Sequence, residues 1–372
     1  MLRRLSILVV FAAAMFGLSN CGTGFKLPAE VHRDLAPGNG EYALLDRKTE
    51  FHGVVDLLLT KSTNPSNEQL YVLYADPSAH AGVGLEAWPQ SLAAPLSYTY
   101  ATLQHPVAVC GNSTRIFVLD QGDSCLAHAI RARNGRCDSL TVNFQYSWRV
   151  REFFPDGGDT VSSFTDTTMA WVQGIAVDDQ QRIYVSGLYI LVTLNPDNPF
   201  LYYRRYVWRV FRYVQGGTDP RMPGAKWHRD DTYSVEEGSG LGTINDPTGL
   251  DWSPFDGGAL FIADTGNNRA QRRSDPPSPF DYLLLDGAAG SMVAPTDVST
   301  DLDGYSYVID SGHEAIYRFV AAGQGLGEFV QRVDVPDPTA PPLVHPIAIA
   351  ADNDKVYVAD QSGALAVYQR HK

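Results

Sequence analysis

The chain has 372 residues, of which 44% are hydrophobic and 19% charged, which is ample for a core and too little charge for a disordered chain. Its 33 Gly and 23 Pro impose frequent turns and exclude helical bundles and coiled coils. Twenty-nine basic against 42 acidic residues leave a net charge of −13, which repels phosphate backbones and excludes nucleic acid as a partner.

In chain order, residues 1–20 come first. Arg3 and Arg4 precede an unbroken apolar run from Ile7 to Leu18, which fits a secretory signal and is too short to remain as a membrane span. The run ends in Leu18-Ser19-Asn20-Cys21-Gly22. This segment resembles the bacterial lipobox, departing from it at Asn20, and the resemblance implies lipidation of Cys21. The chain is therefore expected to be exported to a bacterial cell envelope, touching the membrane only through that lipid. Residues 21–40, with Pro28 and Pro37 and little apolar periodicity, read as a tether.

From residue 41 to 372 one pattern recurs: a Pro, a strand of small apolar residues, a polar turn, an alternating strand, an Asp and a Gly-rich turn. The clearest copies run from Pro247 to Asp264, Pro295 to Asp310 and Pro346 to Asp360. Weaker ones start at Val54, Pro106 and Val172. Repeats near 50 residues, each holding several strands, predict an all-β, six-bladed β-propeller. The last repeat holds only three strands, so residues 41–46 are expected to add its outer strand and cover the open edge. The Asp that ends each second strand is expected to accept hydrogen bonds from the turn after it, a structural role.

Ile262-Ala263-Asp264-Thr265-Gly266-Asn267-Asn268-Arg269 resembles the signature of NHL-repeat β-propellers, and that similarity extends over about residues 54–370. Some enzymes of this family, the peptidyl-hydroxyglycine amidating lyases, carry zinc-binding histidines directly after the repeat Pro. Those positions here are Val107, Thr248, Thr296 and Ile347, which argues against that activity. No Gly-x-Ser-x-Gly elbow, His-Glu-x-x-His helix or phosphate loop occurs.

Export permits disulfides, and with Cys21 set aside three cysteines remain, all in the second repeat. Strand direction favours Cys110–Cys137 over Cys125–Cys137. The third repeat is irregular and carries Tyr202 to Tyr213 with four arginines. Such a run suits an anionic glycan or peptide, or equally two ordinary strand faces on an acidic protein.

Residues just before the first strands form a ring at one channel mouth: Gly53, His105, Trp171, Asp246, Ala294 and His345. His105, Trp171, Tyr202, Asp246 and His345 are accordingly the candidate ligand-binding residues. His105 and His345 with Asp56 are the candidate metal set, for Zn²⁺ or Ca²⁺, although no cofactor is required. The expected function is a tethered, monomeric binding or scaffolding module that captures a protein, peptide or glycan at that mouth. The alternative is a metal-dependent lyase or hydrolase at the axis.

Overall fold

The computed structural model describes residues 42–61, 68–76, 83–96, 100, 103–121, 148–195, 198–222, 224–275, 281–284, 292–320, 325–326, 328–333, 342–352 and 354–370. Cys21, Cys125 and Cys137 lie outside these, as do the proposed signal and tether. Among the described residues there is no α-helix, and the strands fall into six sheets.

Strand β1 (Tyr42–Lys48) opens the chain. The first sheet holds β2 (Val54–Leu59), β3 (Gln69–Tyr74) and β4 (Gly84–Pro89). The second holds β5 (Pro106–Gly111), β6 (Ile116–Asp120), β7 (Arg149–Phe153) and β8 (Ser162–Phe164). The third is built from β9 (Met169–Val177), β10 (Ile183–Asn195), β11 (Asn198–Gln215), β12 (Trp227–Glu237) and the short parallel β13 (Thr243–Ile244). Next come β14 (Pro247–Ser253), β15 (Ala259–Asp264), β16 (Arg269–Arg273) and β17 (Tyr282–Leu284), then β18 (Pro295–Thr300), β19 (Tyr305–Asp310) and β20 (Ala315–Val320). Strand β21 (Gly325–Leu326) crosses back to pair with β17 in the fourth sheet, and β22 (Glu328–Arg332) completes the fifth. The sixth sheet consists of β23 (Pro346–Ala351), β24 (Lys355–Asp360), β25 (Leu365–Arg370) and β1. Tyr42 pairs with Arg370 and Lys48 with Leu365, so the segment expected at 41–46 covers the edge of the last sheet.

The first strands touch in the order β2, β5, β9, β14, β18, β23 and back to β2, a closed ring. Each neighbouring pair of sheets encloses its own hydrophobic cluster. Trp148 and Trp227 lie between the second and third sheets, Tyr184 and Trp252 between the third and fourth, and Phe51 and Trp88 between the sixth and first. The alternating apolar strands thus bury both faces, and the charged side chains sealed among them, such as Arg212, Arg229, Arg269 and Arg318, are matched by buried or half-buried acidic groups or aromatic rings. Cys110 is one of these buried residues, between the second and third sheets.

The junctions are also bonded. Asp56 Oδ2 accepts the Val109 N–H at 2.6 Å, Asp251 Oδ2 that of Thr300 at 2.7 Å, and Asp297 Oδ2 that of Ile349 at 2.9 Å. Hydroxyls of Ser186, Thr265 and Ser311 donate to the carbonyls of Pro247, Pro295 and Pro346 on the next sheet. Gln121 Oε1 accepts from Val172 N, and Phe51 N donates to Gly363 O where the sixth sheet meets the first.

The Asp that closes each second strand reaches in a direction the sequence reading did not anticipate. Asp264, Asp310 and Asp360 accept the N–H of Asn245, Val293 and Val344, each two residues before the repeat Pro, and Asp120 accepts those of Gln104 and His105. They clamp the segment entering the sheet. Asp360 takes backbone N–H groups of the following turn as well, from Ser362 and Ala364. The role is structural, as expected, but the tie runs mainly backwards along the chain.

Close approach explains the small residues of the inner strands. A Cβ on Gly249 would stand 2.6 Å from Asp297 Oδ1 and 2.7 Å from its Cα, whereas one on Gly84 meets nothing within 4 Å. Gly249→Ala should cost about 1–3 kcal/mol by forcing two first strands apart, and Gly84→Ala less than about 0.5 kcal/mol. Chemical denaturation of the two variants checks this; equal midpoints would remove close approach as the reason for glycine.

Candidate functional site

Each first strand departs from regular pairing just after its start. The register shifts between Val54 and Asp56, Pro106 and Ala108, Pro247 and Gly249, Pro295 and Asp297, and Pro346 and Ala348, and β9 is displaced likewise between Val172 and Ile175. A bulge inserts one extra residue and re-aims its side chain. The extra residues are Val55, Val107, Gln173, Thr248, Thr296 and Ile347, and all six line a cavity of about 200 Å³ inside the ring.

The cavity continues along the first strands and beyond their ends, past Cys110, Asn112, Asp179, Asp251, Pro254, Leu302 and Lys61. It therefore opens where the first strands finish. The pre-strand ring lies at the other end, and none of its members lines the cavity.

Of the candidate ligand-binding and metal residues, only Asp56 borders this space. His345 adopts φ +48°, is 57% exposed at its side chain, and directs Nδ1 to Glu314 Oε1 at 3.2 Å. Asp246, at φ +50°, accepts a hydrogen bond from Gln173 Nε2. With Gly53 and Ala294 also at positive φ, four of the six pre-strand positions are left-handed turn residues that swing the chain into the first strand. His105 anchors the entry to the second sheet: its N–H donates to Asp120 and its carbonyl accepts from Gln121 N. Trp171 is buried on β9 opposite Leu188, and Tyr202 pairs with Leu194 far out on the β10–β11 hairpin. These residues belong to turns, a core and a hairpin, and do not converge.

The metal set is likewise not assembled. Among the described residues no three of His, Cys, Asp and Glu are grouped closely enough to hold an ion. His105 and His345 sit at the pre-strand end, engaged as above, while Asp56 gives its two oxygens to the N–H groups of Leu57 and Val109.

The cavity is acidic. Asp56, Asp178, Asp179, Asp251 and Asp297 line it against one cation, Lys61. Burial outweighs the two backbone hydrogen bonds on Asp56 and, with the charge of Asp251, pushes its pKa up from 3.8 to about 7. Asp297 rises well above the usual carboxylate range for the same reason, reinforced by Asp56 and Asp251. Burial, with Asp251 and Asp56 nearby, also pushes up the Cys110 thiol, so this cysteine is held neutral and is a poor nucleophile. Asp297 was visible in the sequence as the counterpart of Asp56 in the fifth repeat. Asp251 and Lys61 carried no signal, because neither follows from the repeat pattern.

A carboxyl whose pKa is higher folded than unfolded binds its proton more tightly in the folded state. Its contribution to stability is complete below pH 3.8 and is lost as pH rises through about 7. Asp56→Asn cannot titrate, so the stability of the parent relative to this variant should fall between pH 4.5 and 8, by at most about 4 kcal/mol. Denaturation midpoints of both proteins across that range test it; a constant difference would mean that Asp56 titrates normally.

No known family model matches the chain, and no curated protein matches it. Among solved structures, a catalytically inactive variant of virginiamycin B lyase from Staphylococcus aureus with quinupristin is similar at TM-score 0.48 and 8% identity, over 88% of this chain and 99% of that one. The selenomethionine-substituted lyase from Staphylococcus aureus has the same TM-score and coverage at 10% identity. A streptogramin B lyase structure shares TM-score 0.48 and 11% identity, over 88% of this chain and 97% of that one.

Proposed function

We propose that residues 41–372 form a six-bladed NHL-like β-propeller, exported on the signal of residues 1–20 and lipid-anchored through Cys21, that acts as a binding module. The carrying observation is the acidic cavity inside the ring of first strands, bordered at one end by side chains from the strand ends. A space of about 200 Å³ takes a small molecule or the tip of a larger ligand, such as a peptide side chain or a terminal sugar. The ring itself supports the propeller reading, because six repeats in one order coincide with six sheets in mutual contact.

Val107→Trp or Ile347→Trp should fill the channel while leaving the strands paired. Screened by calorimetry against amines, sugars and short peptides, the parent should bind a ligand that both variants have lost. Retention of that ligand by folded variants would move the site elsewhere on the protein.

A metal-dependent lyase or hydrolase at the axis has one feature in its favour: Asp56, its pKa pushed up to about 7 by burial, borders the cavity and suits a general acid or base. That reading requires turnover of a bound compound that stops in Asp56→Asn. Capture without turnover supports the binding module. For the anchor, Cys21→Ser should move the protein from the membrane to a soluble exported fraction; unchanged fractionation of a bacterial host would count against lipidation.

A further inference from the structure

Lys61 follows β2 in the first sheet, and Asp251 lies on β14 in the fourth. In the ring these two sheets are three steps apart in either direction, so they face each other across the axis. The Lys61 ammonium nevertheless reaches Asp251 Oδ2 at 2.8 Å and Thr300 Oγ1 at 3.0 Å. It lies as a bar across the open end of the cavity.

The seat of that ammonium is built by the protein around it. Asp251 Oδ2 is held by the Thr300 N–H at 2.7 Å and its hydroxyl at 2.8 Å, which fixes the carboxylate where two sheets meet. The two other carboxylates bordering the inner channel, Asp56 and Asp297, have their oxygens taken by backbone N–H groups. Asp178, at the rim, is answered by Arg182. Asp179, next to it, is exposed, so Asp251 is the inner carboxylate whose cation comes from the opposite sheet, and Lys61 is the one cationic side chain that lines the cavity.

Resting on the binding reading above, the geometry points to a primary ammonium compound as the ligand class, with the Lys61 side chain as an internal stand-in for it. A ligand of this kind enters when Lys61 swings outward on its flexible four-carbon stem. Its ammonium replaces Nζ at Asp251 and Thr300, and its apolar part passes toward Val55, Val107 and Ile347. No bond is made or broken; one ammonium is exchanged for another, and charge is conserved in the site.

The probe is n-butylammonium, close in length to the lysine stem. Lys61→Ala opens the space and keeps the carboxylate, so it should bind the probe saturably by calorimetry, and 1-butanol and butyrate should not bind. Lys61→Met fills the same space without charge and should not bind; neither should Lys61→Ala combined with Asp251→Asn. The parent should bind at least about tenfold more weakly than Lys61→Ala, because its tethered ammonium competes at high effective concentration. In the unmodified parent, saturating n-butylammonium should raise acylation of the Lys61 amine relative to the other lysines of the same sample, a ratio that consumption of reagent by the probe leaves unchanged, read by peptide mass spectrometry whatever the behaviour of the variants. Equal binding of 1-butanol or butyrate overturns the cation assignment while leaving a channel-binding module in place. Failure of every probe to bind folded Lys61→Ala overturns both, and so does unchanged Lys61 reactivity in a parent that takes up none of the probes.

Discussion

Six twisted sheets can share one axis only if their first strands come within bonding distance of one another, and nearly every feature of this molecule follows from that crowding. Each junction carries at least one hydrogen bond between sheets, from Asp56 to Val109 through to Phe51 with Gly363. Buried hydrogen bonds of this kind add little net stability each, yet they are expensive to leave unmade. They therefore set how the sheets are spaced and rotated more than how strongly they adhere. Adhesion comes from the six hydrophobic clusters between the sheets, where Trp, Tyr and Phe side chains are sealed from water.

The same crowding generates the cavity. A bulge at one repeated position lifts Val55, Val107, Gln173, Thr248, Thr296 and Ile347 out of the ladder toward the inside of the ring. Small residues next to them, such as Gly174 and Gly249, let the neighbouring backbone pass. Carboxylates then fill the role that a regular sheet would assign to backbone carbonyls, which is why acidic groups lie so deep. The raised affinity of Asp56 and Asp297 for protons is the electrostatic counterpart of that burial.

Repeat order made the sheets and the closing strand legible from the residues alone. A Pro, a small apolar strand and an Asp recur with enough regularity that five of six first strands begin at the residue expected, and only β9 starts earlier, at Met169. The site was not legible in the same way. His105, Asp246 and His345 look like ligands because they stand at equivalent positions before the first strands. Equivalent position reports equivalent backbone, and here the backbone requirement is a left-handed turn that Asp246 and His345 satisfy. Which end of the channel opens depends on the bulge and on side chains such as Lys61 that reach across from an opposite sheet, and neither leaves a periodic trace.

The pairing of β1 with β25 joins residues from the two ends of the described chain. On the ribosome β1 is made first and its partner last, so at roughly 5–20 residues per second the strand stays single for some tens of seconds. Throughout that interval its backbone is an open template for any other strand nearby. The charges along it, Asp46, Arg47 and Lys48, discourage such mispairing until the final sheet arrives. Among the described residues ring closure joins positions 42 and 370, so its formation carries the entropy of closing a loop across nearly the whole described chain.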